Sequence, residues 1–135
     1  LTRVAIVGES TDAQRRLFDT YLAAQQAAIE AVRPGVPVSE LDRAAEAVVK
    51  DAGFGEHYIK GMGHGIGLRF EETPAPTIQP KHASVELQEG MTIAVGHPIL
   101  AVPGIGGVRL EDTGSVAATG WQGITDYPKE LFIRT

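Results

Sequence analysis

The stretch GMGHGIGLRFEETP, residues 61–74, sets one histidine, His64, among glycines at 61, 63, 65 and 67. Charge and proline follow at once, in Arg69, Glu71, Glu72 and Pro74. Glycine frees the backbone to take angles closed to other residues and lets another group come close. A neutral imidazole is a common metal ligand and proton shuttle. Such a run therefore reads either as a site loop or as a glycine turn whose histidine bonds only locally. The motif by itself leaves both open.

The chain before this stretch is regular. LTRVAIVG, residues 1–8, is apolar and β-branched and stops at Gly8, which predicts a strand. From Ser10 or Thr11, either of which can cap, helix formers run to Pro34-Gly35. Leu17, Tyr21, Ala24, Ala28 and Val32 recur at helical spacing, and Phe18, Leu22 and Ile29 widen the apolar stripe. A second helix is predicted from Ser39 to Gly53, with Leu41, Ala44, Ala45, Val48 and Ala52 on its apolar face. The joint between them, PGVP, is short enough to fold one helix back on the other or onto a shared sheet.

Beyond residue 53 glycine and proline become dense and apolar runs shorten to strand length. GMTIAVGHPIL (90–100) and GGVRLEDTGSVAA (106–118) read as two strands joined by AVPGI, and ELFIRT (130–135) as a closing strand. The class is α+β, with a helix pair in front of a mainly antiparallel sheet.

Three further groups bear on chemistry. In VRLEDT, residues 108–113, strand alternation puts Arg109, Glu111 and Thr113 on one face and Leu110 and Asp112 on the other. An acid at that point needs a partner if buried, and a metal ion or Arg109 would serve. The commoner outcome is a surface Arg/Glu pair. His97 stands in an apolar strand before Pro98, where a lone histidine is ordinarily a satisfied core or edge residue. With His64 and Glu111 it makes two histidines and a carboxylate, a set that suits several divalent ions. Glu71 and Glu72 are candidate acid/base carboxylates or simply solvated loop acids. His57 and His82 read as surface residues and Trp121 as a packing anchor.

Composition narrows the field. The 135 residues are 43% hydrophobic, enough for one modest core, and the net charge is −5 with basic residues scattered. A phosphate-tracking surface is not expected, nor nucleic acid as a partner. Cysteine is absent, which removes thiolate sites and fits a reducing cytoplasmic setting. No apolar run is long enough to span a bilayer, so no membrane partner is expected. The first residue is Leu1 and the opening already reads as a strand in progress, which suggests a fragment or processed chain.

In this order, these motifs resemble the pita-bread aminopeptidase/creatinase family of prolidases, aminopeptidase P, methionine aminopeptidases and creatinase. AAQQAAIEAVRPGVPVSELDRAA is similar to its helix pair around an RPG turn. GHGIGL resembles its histidine loop, GM…HP its GM…EP strand, GGVRLEDT its closing acid strand, and GITDYPKELFIR the tail of prolidase-like members. The resemblance runs nearly end to end and implies that residues 1–135 are the second half of a pita-bread catalytic domain.

The resemblance also implies a site. Active peptidases of this family hold two metals with two aspartates, one histidine and two glutamates, and a second histidine assists. The metal histidine falls on His64 and the last glutamate on Glu111. The assisting histidine falls on Glu71, within EETP where the family has HEPP-like text. Counting back from GGVRLED puts the other glutamate on His97, whereas counting forward from Gly90-Met91 puts it on Gly96. His97 is favoured, with a bulge near Gly96 absorbing the extra residue. Both aspartates would lie upstream of Leu1.

The expectation is a fragment of a divergent hydrolase acting on a C–N bond, of a peptide or a small amide or amidino compound. His64, His97 and Glu111 would hold one manganese, cobalt or zinc ion, or none. His64 and Glu71 would be catalytic, with Gly63, Gly65 and Arg109 at the substrate. The chain alone is expected to be inactive and to need its missing half-domain or a second copy, so a homo-oligomer is expected. Two other readings remain: an ordinary metal-dependent Xaa-Pro dipeptidase, and a non-catalytic module that binds a peptide or partner protein in the old cleft.

Overall fold

The computed structural model describes residues 1–134. Its elements run β1 (Val4–Val7), α1 (Asp12–Glu30), α2 (Ser39–Asp51), β2 (Gly63–Gly65), β3 (Thr92–Val95), β4 (Leu100–Val102), β5 (Gly106–Val108), β6 (Asp112–Ala117), β7 (Gly120–Gly123) and β8 (Leu131–Arg134). Short 3-10 turns occupy Gly55–His57 and Pro80–Ser84. The last threonine of the ELFIRT prediction lies outside the described residues.

Both helices form where periodicity places them. Thr11 caps α1: its hydroxyl accepts from the Gln14 amide, and the Gln14 side chain accepts from the Thr11 amide. Leu17, Phe18, Tyr21, Ala24, Ala28 and Ile29 turn inward. Gly35, with φ +82, turns the chain toward α2. The buried face of α2 differs from the apolar stripe expected: Leu41, Asp42, Ala45 and Val49 are inside. Asp42 is there because its carboxylate accepts the Gly61 and Met62 amides at 2.7 and 2.9 Å and the Tyr58 hydroxyl at 2.9 Å. A buried carboxylate with three donors is satisfied, and it fastens the segment entering β2 to the helix.

The main sheet is antiparallel in the order β2-β3-β6-β7, and α1 and α2 pack against it and each other. Leu41, Met62, Leu87, Ile93, Val95, Leu110 and Val116 fill the space between, nearly free of solvent. Trp121 packs against this core, as expected, with its ring over Gly114. β4 and β5 make a separate antiparallel hairpin, and β1 and β8 a parallel ribbon.

Two predicted strands prove to be four. The run 90–100 breaks between β3 and β4, and the run 106–118 breaks between β5 and β6. At the first break Gly96 has φ +109, and the Gly96 and His97 amides both point at the Met62 carbonyl, at 2.7 and 3.4 Å. Two residues opposite one make a bulge, which bends the strand and ends its ladder. Pro98 then has no amide to restart it. GHG at 63–65, read as a loop, is the edge strand β2, pairing Gly63 with Val95 and Gly65 with Ile93.

Candidate active site

β2, the β3 bulge and the start of β6 meet at one end of the main sheet, and each delivers one titratable group. His64 points inward from the middle of β2 and is 3% exposed. Its Nδ1 lies 2.9 Å from the Gly65 carbonyl and its Nε2 lies 3.4 Å from Glu111 Oε1. The carbonyl can only accept, so Nδ1 carries hydrogen and Nε2 is left facing the carboxylate. The His97 ring stands edge-on to that of His64, centroids 4.8 Å apart. His97 Nε2 is 3.3 Å from Glu71 Oε1, and its Nδ1 is 3.7 Å from Glu111 Oε1.

Glu111 is held from the other side. Its Oε2 accepts from Thr2 Oγ1 and Arg109 Nη2, each at 2.9 Å. The Thr2 and Glu111 backbones also exchange amide-to-carbonyl bonds of 2.9 and 3.1 Å. Behind it, on the opposite face as alternation requires, Asp112 binds Arg3 and Lys129, each at 2.7 Å. Arg109 Nη2 also approaches His97 Nδ1 at 3.3 Å.

Burial works against a charge on His64, yet contact with the Glu111 carboxylate, the Gly65 carbonyl and the nearby Glu71 charge outweighs it, and its pKa is raised above 6.5. Burial likewise opposes ionisation of Glu111. Contacts with His64, His97 and Thr2 and the charge of Arg109 overcome it, and the Glu111 carboxyl sits well below the usual carboxylate range.

Donor atoms of His64, Glu71 and His97 lie within 4.8 Å of one another. This differs from the expected set of His64, His97 and Glu111, because one oxygen of Glu111 is engaged by Arg109 and Thr2 while Glu71 swings in against His97. Glu71 Oε2 is buried and has no partner among the described residues. Two imidazoles, a carboxylate with an unpartnered oxygen and the Glu111 oxygen beside them suit one divalent cation. The residues present therefore fit a single metal.

Gly63 and Gly65 have no room for a side chain. A Cβ on Gly63 would sit 2.6 Å from Leu41 Cδ2, and one on Gly65 would sit 2.5 Å from the Thr73 carbonyl oxygen. Their bareness admits helix α2 and the 72–74 segment. His57 and His82 are half-buried, not surface residues. His82 Nδ1 accepts the Ala75 amide at 3.2 Å. The cluster opens into a cavity of about 150 Å³ whose other wall is Leu1, Ile66, Phe70 and Ala94. Glu71 also lines a neighbouring cavity of about 470 Å³ with Arg69, Glu72 and His82.

Sequence reasoning took Tyr21 only as part of the apolar stripe and did not single out Thr2 or Gln25; Tyr21 and Gln25 both bond at the site's backbone. The last two are buried polar side chains spaced i, i+4 in the apolar stripe of α1, a signal that was present. Thr2 has none, since only the fold brings it to Glu111.

Comparison with known proteins identifies the fold and the family. The sequence model of metallopeptidase family M24 matches residues 1–118. An Xaa-Pro dipeptidase of Lactobacillus delbrueckii subsp. lactis is 40% identical over 130 residues, 96% of this chain and 34% of that protein. One from Pyrococcus furiosus is 36% identical over 131 residues, 97% of this chain and 36% of its own. The solved Xaa-Pro dipeptidase from Bacillus anthracis superposes with TM-score 0.86 at 34% identity, covering 97% of this chain and 36% of that one. X-Pro aminopeptidase from Thermotoga maritima MSB8 gives TM-score 0.86 at 29% identity over the same shares. The chain spans about a third of the length of these relatives. Helix pair, antiparallel sheet and histidine strand are those of the pita-bread fold, and the chain belongs to metallopeptidase family M24.

Proposed function

We propose that residues 1–135 form part of a pita-bread catalytic domain in a hydrolase that cleaves a C–N bond at an altered site holding one divalent cation, manganese, cobalt or zinc. The convergence of His64, Glu71, His97 and Glu111 around an unpartnered carboxylate oxygen carries this reading. The chain's likeness to Xaa-Pro dipeptidases favours a peptide with proline after the scissile bond; a small amide or amidino compound is the other substrate class.

His64, Glu71 and His97 would hold the ion, with Glu111 Oε1 beside them. A bound divalent ion supplies an activated water and a positive charge opposite the developing oxyanion. The chain's own groups do the rest. The Gly65 carbonyl keeps the proton on His64 Nδ1, so Nε2 faces the cleft. Without the ion, Glu111 stabilises positive charge on His64, and in either state Thr2 and Arg109 hold Glu111 in register. Arg109 offsets the charge of Glu111, which it meets at 2.9 Å. Leu1, Ile66 and Phe70 line the apolar side of the mouth.

Arg109 against Glu111 also favours a second reading, a metal-free site, because a guanidinium already neutralises that carboxylate. One experiment separates them. The purified chain is loaded with manganese, cobalt or zinc and its metal content measured beside a His64→Ala control, and binding of an Xaa-Pro dipeptide is followed by calorimetry. About one ion per chain, lost in the control, with dipeptide binding that depends on it, is the expected result. Dipeptide binding without metal would select the metal-free site, and binding of neither would overturn the proposal.

A further inference from the structure

His97 reaches the cluster only because β3 carries one residue more than its partners. In an unbulged strand that residue would face the other side of the sheet. Three observations show what holds the extra residue in place. Gly96 has φ +109, and a Cβ there would collide with the Leu110 carbonyl. The Tyr21 hydroxyl lies 2.7 Å from the Gly96 carbonyl and 2.6 Å from the Pro98 carbonyl, one on each side of His97. One turn further along α1, the Gln25 amide nitrogen reaches the Val95 and Leu110 carbonyls at 3.0 Å and Asp112 Oδ2 at 3.2 Å. Both side chains are buried.

A bulge leaves carbonyls that the ladder no longer pairs, and buried carbonyls need donors. Tyr21 shares its one hydroxyl hydrogen between two of them, and Gln25 offers two amide hydrogens to the rest and to Asp112. Their i, i+4 spacing on a rigid helix sets the width of the bulge. Neither touches a site side chain. Gln25 bonds to the β3 backbone at Val95, just before the break, to the Leu110 carbonyl of the facing segment, and to Asp112, next to Glu111.

We infer that Tyr21 and Gln25 are positioning residues that lock the Gly96 bulge and so fix the His97 imidazole beside His64 and Glu71. The functional meaning of this lock rests on the proposal that the cluster holds a cation; the lock itself does not.

The test uses the full chain. In NMR spectra of the metal-free protein the His64 and His97 ring protons give a direct cross-relaxation contact, expected from their 4.8 Å centroid separation. Tyr21→Phe and Gln25→Met should weaken or abolish it while the helical circular dichroism signal stays. Thr20→Val removes a buried hydroxyl from the same helix, one bonded to the Arg16 carbonyl, and should leave the contact intact. With cobalt as probe, Tyr21→Phe should raise the dissociation constant about tenfold. The same change in a His97→Ala background should add nothing, because the residue it positions is gone.

Persistence of the ring contact in either folded variant would overturn the inference, as would equal weakening by Thr20→Val. Where a variant does not fold, the unsubstituted chain still decides, because its Tyr21 ring must show contacts to Gly96 and Pro98 protons. Failure of the cation reading looks different: no cobalt is taken up, yet the ring contact still responds to Tyr21→Phe.

Discussion

Glu71 and His97 face each other at 3.3 Å, and the resemblance implies that each stands where the family has the other's residue type. On that reading the two departures are one exchange, which leaves the cluster with two imidazoles and two carboxylates. Glu71→His or His97→Glu alone upsets that balance, since the second sets three carboxylates around His64. Either single change is expected to cost at least tenfold in cobalt affinity, measured by calorimetry. Combining the two should recover most of it.

Protons compete for the same atoms. The His64 pKa is raised, so its pairing with Glu111 stabilises the fold fully below 6.5 and fades as pH climbs through the raised value. Glu111 is depressed, so its share is present above 4.5 and is lost only in strong acid. Urea midpoints should therefore fall between about pH 6 and pH 9, and His64→Asn should flatten that slope. Metal uptake should run the opposite way, rising with pH as His64 Nε2 loses its proton.

Among the elements, α1 and α2 were legible because their apolar repeats are long and their caps are local. The strands were legible in kind but not in extent. Gly96 and Pro98 are local signs of the break in 90–100, and a bulge near Gly96 was expected, but the side chains bonded to it there, Tyr21 and Gln25, arrive from another element. His64, Glu71, His97 and Glu111 could be named from the sequence, while Glu71 turning toward His97, and not into solvent, is a tertiary fact. Asp42 shows the same limit: an acid in the first turn of a helix reads as a dipole partner, yet here it ties the helix to the approach of β2. Asp42→Ala, which strands three donors, should cost about 3 kcal/mol in chemical denaturation. Asp42→Asn, which keeps one acceptor, should cost less.

For the molecule as a whole, the apolar surface is uneven. Leu1 and Phe70, which line the cavity at the cluster, are 62% and 77% exposed, and Leu68 is 105% exposed. β2 and β7 leave the main sheet with two edges among the described residues. Open edges and grouped apolar side chains favour association. Sedimentation velocity at micromolar concentration is expected to show dimers or larger species, and a clean monomer would remove the expectation. No described helix is long and apolar enough to cross a membrane.

The ribbon of β1 and β8 pairs Val4 with Leu131 through Val7 with Arg134, both strands running the same way. A pull that drew Val4 and Arg134 apart would drag one strand lengthwise past the other, so every rung of that ladder would carry load together and none could open first. Arg3, bound at once to Asp112 and to the Tyr127 and Pro128 carbonyls, adds a rivet at the base of the ribbon. Held by those two points, the molecule should resist tension far better than its small core suggests, and should yield in one abrupt step when the ribbon slips.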